Sequence, residues 1–322
     1  MPNQMINIGF VMDPIGTIKP YKDSTFAMML EAQRRGWCVH YIQQSGVFVE
    51  DGVVNCVSQT LELIDNNEHW FNSLQSHKQP MSALDCVVMR KDPPFDMEYI
   101  YSTYLLELAE LQGCLVLNKP ASIRSANEKF FTTWFSECSP ETLVTRDMEL
   151  IKSFQEKHQH IVVKPLDGMG GSMIFQIREG DQNRNVILEA VTNNGSTTVM
   201  AQRFLPEFKD GDKRILLVDG EPFDYALARI PAKGEGRANL AAGATSEGVP
   251  LTDRDREICA MVGPSLKAMG LTFVGLDVIG DYMTEINVTS PTCIRELDEL
   301  YDANIAGLLM DVIENKLESE VA

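Results

Sequence analysis

The chain has 322 residues, 44% of them hydrophobic and 23% charged, a make-up that suits a globular protein of about two domains. Its 28 Lys and Arg stand against 46 Asp and Glu, for a formal net charge of −18. That field repels nucleic acid and anionic membrane surfaces, so any anionic substrate requires a local basic pocket.

In chain order, residues 5–12 are an apolar run closed by Asp13-Pro14, the pattern of a buried strand. Ser24 reads as an N-cap, with helical spacing over 25–35 and Gly36 as the stop. Residues 39–42 and 86–89 read as further strands, followed by a helix near 96–111, Gly113 and a strand at 115–117. Strands alternating with helices imply a parallel sheet with crossovers, so residues 1–122 are expected to form an open α/β domain. The stretch 51–82 is polar and fits no period. No apolar run approaches the roughly 20 residues of a membrane span and no signal-like start is present, so a cytoplasmic location is expected. The seven cysteines (Cys38, Cys56, Cys86, Cys114, Cys138, Cys259, Cys293) lack C-x-x-C spacing and read as reduced core thiols. The five histidines show no ligand spacing; His158 and His160 read as a solvated helix end. Their sparseness argues against chemistry that needs a catalytic histidine.

After Asn118-Lys119-Pro120 the pattern changes. Residues 125–135, with Trp134 and several Phe, predict a helix. Thereafter strands come as hairpins: 161–164 with 173–177, 215–218 with 223–228, and 273–279 with 283–288. Hairpins build antiparallel sheet, so the second half is expected to be α+β and to form two units.

Four patterns carry chemistry. The run Lys164-Pro165-Leu166-Asp167-Gly168-Met169-Gly170-Gly171 places an ammonium at a strand end beside glycines that let the backbone approach a ligand. It joins two strands and lacks Gly-Lys-Ser/Thr, so it is not a Walker A loop; it is either a phosphate loop or a glycine-rich turn. Next, Glu285 and Asn287 lie two apart on one strand and share a face, with Asp277 on the partner strand. A two-residue turn at Gly280-Asp281 would put Asp277 one position off Glu285, so a three-residue turn or a bulge is predicted. Two carboxylates and an amide oxygen suit Mg²⁺; the alternative is a polar edge strand. A cation series, Lys129, Lys164, Arg214, Arg229 and Arg237 with Arg90-Lys91, offers the basic pocket that an acidic chain needs. Finally, residues 230–250 are rich in Gly and Ala, contain Arg237 and Asn239, and read either as a mobile lid or as a plain loop.

These motifs resemble the ATP-grasp superfamily. The strings Met89-Arg90-Lys91-Asp92-Pro93-Pro94-Phe95, Lys164 to Gly171, Asp210-Gly211-Asp212-Lys213-Arg214, Leu227-Ala228-Arg229-Ile230-Pro231, Asn239-Leu240-Ala241-Ala242-Gly243 and Thr284-Glu285-Ile286-Asn287-Val288-Thr289-Ser290-Pro291-Thr292 are similar to bacterial glutathione synthetases. Val11-Met12-Asp13-Pro14 and residues 24–36 extend the match. The resemblance implies an ATP-grasp fold behind an open parallel-sheet (pre-ATP-grasp) domain. Residues 1–122 would be the substrate domain, 123–202 the small ATP-clamping domain, and 203–322 the central metal-binding domain with a mobile loop at 230–250. It implies ligation of γ-glutamylcysteine with glycine through an acyl phosphate, with ATP and Mg²⁺ or Mn²⁺, in a homo-oligomer, often a tetramer among relatives. By position, Lys129 and Lys164 with Gly168, Gly170 and Gly171 would hold the phosphates, Gln202 and Leu205 the adenine, and Asp212 the ribose. Asp277, Glu285 and Asn287 would bind the metal. Arg214, Arg229 and Lys164 would steady the acyl phosphate, and Arg90, Arg237, Asn239, Ser290, Pro291 and Thr292 would lie near the peptide. Relatives can carry a second Arg late in the lid, where this chain reads Gly243-Ala244-Thr245-Ser246. The alternatives are another ATP-grasp ligase, such as a D-alanine–D-alanine or glutamate ligase, and an ATP-binding sensor lacking a metal ligand or phosphate lysine.

Overall fold

A computed structural model describes residues 5–168, 170–232 and 245–321. The apolar run at the start is β1 (Asn7–Met12). Helix α1 (Ser24–Arg34) follows, and Asp23, not Ser24, caps it: Asp23 Oδ1 accepts from the Phe26 amide at 2.7 Å. The Ser24 hydroxyl instead accepts from the Ile294 amide at 3.1 Å. Next come β2 (Cys38–Glu50), β3 (Val53–Leu63), β4 (Phe71–Pro80), β5 (Cys86–Met89), α2 (Met97–Leu111), β6 (Leu115–Leu117) and α3 (Pro120–Ser125). The strands form one sheet in the order β4-β3-β2-β1-β5-β6. Its β2-β1-β5-β6 part is parallel, as the alternation of strands and helices requires. The unassigned stretch 51–82 extends it as an antiparallel ribbon, β2-β3-β4. On β3 Val54, Cys56 and Ser58 are buried while Val53 and Val57 are exposed, so the alternation is real. It was hidden because apolar residues lie on both faces.

The helix expected over 125–135 is split. α3 stops at Ser125, and a 3-10 turn runs over Phe130–Phe135. The side chain of Asn127 makes the break: its Oδ1 accepts from the Lys129 and Phe130 amides at 3.2 and 2.9 Å and so competes with the helical ladder.

Then β7 (Thr142–Thr145), α4 (Met148–His158), β8 (Ile161–Pro165), β9 (Phe175–Ile177), α5 (Arg184–Val191) and β10 (Val199–Arg203) form a second unit. Its antiparallel sheet runs β7-β10-β8-β9, with Ile151, Leu188 and Val191 of the helices packed on Ile161, Val163, Ile177 and Val199. β9 starts at Phe175, later than residue 173, because Gly170, Gly171 and Met173 adopt positive φ of 62°, 75° and 57° and cannot join the ladder.

The last sheet has the order β13-β12-β11-β14-β15. It comprises β11 (Asp212–Val218), β12 (Glu221–Ile230), β13 (Thr245–Pro250), β14 (Phe273–Ile279) and β15 (Tyr282–Asn287), with α6 (Asp253–Ala268) before β14 and α7 (Ile294–Tyr301) and α8 (Ile305–Val321) after β15. The expected loop 230–250 is corrected at both ends. Ile230 closes β12, and Thr245–Pro250 is a strand in register with it, from Ile230↔Thr245 to Tyr225↔Pro250. Residues 233–244, Arg237 and Asn239 among them, lie outside the described residues.

One face of this sheet buries Ile215, Leu217, Leu276, Val278, Met283 and Ile286 against Ile258, Cys259 and Val262 of α6. Each such fully buried side chain contributes about 1.5–3 kcal/mol. The other face buries Leu216, Val218 and Leu227 beneath Ile294, Leu297 and Leu309 of α7 and α8. Alternation along the strands puts Asp212, Arg214, Arg229, Asp277, Glu285 and Asn287 on this same face, beyond the helices' cover. Among the described residues no helix is long and apolar enough to cross a membrane.

Candidate active site

A cleft of about 580 Å³ opens where the three sheets meet. Its wall from the last sheet depends on one irregularity. The turn between β14 and β15 has only two residues, with Ile279 paired to Tyr282 and Val278 to Met283. A bulge at Thr284 then shifts the ladder, so that Asp277 faces Glu285 and Gly275 faces Asn287. Met283 therefore stays in the core while Glu285 and Asn287 share the cleft face with Asp277, as predicted from the sequence. The carbonyl of the extra residue, Thr284, is taken by Lys164 Nζ at 3.0 Å.

Lys164 comes from β8 in the second sheet and is 6% exposed; burial depresses its pKa from 10.5 to about 8, although Glu285 pulls the other way. Lys129 joins the same two sheets: its Nζ donates to the Gly168 carbonyl at 2.5 Å and to Glu285 Oε1 at 2.9 Å. Gly168, Gly170 and Gly171 line the cleft above it. A Cβ on Gly168 would come within 2.7 Å of Pro165, so the loop takes this path only with glycine there.

Asp277 is gripped by both arginines. Arg214 donates to its two oxygens at 2.5 and 3.0 Å, and Arg229 reaches Oδ2 at 2.9 Å. Burial would push the Asp277 carboxyl up, but the two guanidiniums hold it well below the usual range. Arg229 also donates to Asp212 Oδ2 at 2.7 Å. Burial, reinforced by the nearby Asp277, raises Asp212 to about 6 against the pull of Arg229, and its Oδ1 is buried without a hydrogen-bond partner. Asn287 donates its Nδ2 to the Gly275 carbonyl at 3.1 Å, leaving the amide oxygen as its remaining acceptor. Gly275 itself is required here, since a Cβ would meet Arg214 Cδ at 2.8 Å.

Gln202 and Leu205 line the cleft at the end of β10, with Gln202 Nε2 held by Thr142 Oγ1 at 3.0 Å. Ser290 and Thr292 also line it, whereas Arg90 and Pro291 stand behind the lining. Arg90, 4% exposed, donates to the Pro291 carbonyl at 2.8 Å and to Thr25 Oγ1 at 3.0 Å, and so props the segment that carries Ser290 and Thr292.

Sequence reasoning missed Glu128. It is half-buried, lines the cleft, and accepts from the Val288 amide, the Thr289 amide and the Thr289 hydroxyl at 2.8–3.0 Å. Burial, with help from Glu285, raises its pKa. Its position beside Lys129 was the available signal. Lys19, Lys22, Asp13 and Asp92 line the cleft from the first sheet's loops, and no motif marked Lys19 or Lys22.

The donors can be tested against a metal ion. Two opposed carboxylates and an amide oxygen form a hard, all-oxygen set, and Asp277 Oδ1, bonded to Arg214 alone of the two arginines, keeps a second lone pair. Among the described residues no group of three or more His, Cys, Asp or Glu could hold a metal alone.

Residues 128–302 match the family profile of the prokaryotic glutathione synthetase ATP-grasp domain, and residues 6–124 match the N-terminal domain of the same family. A glutathione synthetase of Vibrio cholerae serotype O1 is 55% identical over 315 residues, covering 98% of this chain and 99% of the relative. The glutathione synthetase of Escherichia coli K12 is 54% identical over 316 residues, covering 98% and 100%. Among solved structures, the D-cycloserine synthetase DcsG aligns with a TM-score of 0.66 at 14% identity, covering 95% of this chain and 99% of that one. The ATP-grasp ligase PsnB, complexed with a minimal precursor, Mg and ADP, aligns at 0.62 and 15% identity, covering 97% and 98%. These two likenesses concern the fold alone.

Proposed function

The chain belongs to the prokaryotic glutathione synthetase family, and we propose that its cleft drives ligation through an acyl phosphate held among Lys129, Lys164, Arg214 and Arg229. The family reaction joins γ-glutamylcysteine to glycine with ATP, giving glutathione, ADP and phosphate.

The physical difficulty is that a substrate carboxylate and a γ-phosphate repel, at a cost of several kcal/mol in a site of low dielectric. Lys129 and Lys164 would hold the phosphates beneath Gly168, Gly170 and Gly171. Gln202 and Leu205 would flank the adenine, and the unpartnered Asp212 Oδ1 would accept from a ribose hydroxyl. Asp277, Glu285 and Asn287 would hold Mg²⁺, and the same hard donors suit Mn²⁺. When bound, the ion supplies positive charge between the phosphates and the carboxylate. Arg214 and Arg229 would steady the charge on the activated carboxyl, and later the oxyanion formed when the glycine amine attacks. Ser290 and Thr292, propped through Pro291 by Arg90, would orient the peptide. No protein nucleophile is required. The first sheet (1–122) would carry the substrate platform, the second (123–202) the nucleotide clamp, and the third (203–322) the metal donors.

The observation that carries this reading is the pair of hydrogen bonds that Lys129 Nζ donates, to the Gly168 carbonyl and to Glu285 at once, which would tie the phosphate loop to the metal donors. A phosphate-release assay tests it. Phosphate should appear in step with glutathione from γ-glutamylcysteine and glycine, and not with D-alanine pairs. Turnover of D-alanine, or ATP binding without turnover of any pair, would refute the reading.

A further inference from the structure

The reaction leaves one carboxylate of the cleft wall unused. Glu296 lies in the first turn of α7, just past Ser290-Pro291-Thr292, and lines the cleft. Its Oε2 is closed off from water and takes no hydrogen bond. A buried acceptor left unmade is costly, and in the wall of a cleft it points to a donor that arrives with the ligand. Lys22 belongs to the same lining, half-buried in the segment that leads into α1. Among the described residues no hydrogen bond or ion pair engages its Nζ. Burial raises the Glu296 carboxyl, against its own backbone amide and the pull of Lys22, Arg295 and Arg214, in that order. Lys22 is thus the leading charge that acts on Glu296, yet no ion pair joins the two. Opposite charges this near that do not meet leave room between them for a ligand that carries both.

The neighbouring charges are already engaged. Asp13 pairs with Lys91 at 3.0 Å and accepts from the Asp92 amide, Asp23 caps α1, and Arg295 pairs with Asp65 at 2.8 Å. Given γ-glutamylcysteine as the substrate of this cleft, we infer that Glu296 and Lys22 form the subsite for the free α-amino acid head of its γ-glutamyl residue, with Glu296 taking the ammonium and Lys22 the α-carboxylate. The shape of the dipeptide agrees. One end is the carboxylate that Arg214 and Arg229 would steady, and the other is a zwitterion, roughly 7 Å away along an extended amide and two methylenes. Arg214 acts on Glu296 more weakly than Lys22 does, as it should if it grips the far end. Glycine carries the same two charges, but its amine has to attack as the free base, and a carboxylate pinned to it would hold the ammonium form.

A cycle between enzyme variants and trimmed dipeptides tests the contact. Glu296→Gln keeps a residue suited to the third helical position, so α7 should survive it. The KM for γ-glutamylcysteine should rise about 10- to 100-fold, and the KM values for glycine and ATP should stay put. On N-glutarylcysteine, the same dipeptide without its amino group, the wild type should lose a similar factor, to which Glu296→Gln should add no more than about twofold. Lys22→Met should show the same non-additivity with γ-aminobutyrylcysteine, which lacks the α-carboxylate, and this arm decides the matter if Glu296→Gln fails to fold. Penalties that multiply across both cycles would mark the two side chains as merely structural and overturn the inference. So would a raised KM for glycine, the sign of a glycine subsite. A wild type that makes no glutathione from γ-glutamylcysteine would sink the reading of the cleft and this subsite together, whereas an active wild type with multiplying penalties would sink the subsite alone.

Discussion

Asp277 stands directly opposite Glu285, one residue away from the register that the two-residue turn at Gly280-Asp281 alone would impose. The bulge at Thr284 does two things. It turns Glu285 and Asn287 onto the face of Asp277 while Met283 remains in the core, and it frees a backbone carbonyl that Lys164 takes. One extra residue thus aligns the proposed metal donors and docks Lys164, the proposed phosphate lysine of a different sheet, onto them.

Glu285→Gln removes one carboxylate charge from the proposed metal set and leaves Lys129 without its ion pair. The Mg²⁺ concentration for half-maximal rate should rise by about tenfold or more. Glu285 is partly exposed, so thermal stability should move little. Initial rates against Mg²⁺ at saturating ATP, with a melting curve, check both.

Lys164 couples stability and nucleotide binding to pH. The unfolded chain keeps that proton up to about 10.5, and the folded chain only to about 8. The nucleotide-free protein is therefore destabilised by roughly 3 kcal/mol below pH 8, and the penalty fades as pH rises towards 10.5. Lys164→Met should raise the melting temperature of the nucleotide-free protein at pH 7 while abolishing turnover. In the wild type, the Kd for ATP should weaken by about fivefold from pH 8 to pH 9, because the proposed phosphate contact requires the protonated amine. Calorimetric titration across that range reads it.

Arg214→Ala leaves buried Asp277 with Arg229 as its remaining arginine partner. Loss of about 3 kcal/mol of stability and a fall in kcat of about 10²–10³ are expected. Gly275→Ala separates the two effects. Its Cβ would lie 2.8 Å from Arg214 Cδ and push the guanidinium off line without removing its charge, so kcat should fall further than the melting temperature suggests. Denaturant titrations beside steady-state kinetics distinguish them.

Arg90→Met keeps an apolar stem but gives up the bonds to the Pro291 carbonyl and Thr25. Two acceptors are then left unmade inside the protein, at about 1–3 kcal/mol each. The KM for γ-glutamylcysteine should rise by about tenfold, with a smaller change in kcat and none in the KM for ATP, since Arg90 stands behind the peptide side of the cleft.

The placement of the candidate site was more legible than the architecture around it. Lys164 before its glycines, and Asp277 with Glu285 and Asn287, could be read because each depends on local spacing, and the parity of the hairpin even required the bulge. What escaped depends on contacts distant in sequence or on competing local bonds. Glu128 gains its place only because Val288 and Thr289, some 160 residues on, present their donors to it. The helix over 125–135 broke because the Asn127 side chain took the amides a helix would have used. The ribbon β2-β3-β4 hid its alternation because Val53 and Val57 are apolar yet exposed. Thr245–Pro250 lacks an apolar pattern and is a strand only because β12 offers it an edge.

The central claim is that these cations bring the dipeptide carboxylate and the γ-phosphate together to form an acyl phosphate. Labelling both C-terminal carboxylate oxygens of γ-glutamylcysteine with oxygen-18 tests it most directly. After ligation to glycine, one labelled oxygen should leave in the inorganic phosphate and the other should remain in the peptide bond. Phosphate released without label would contradict the account.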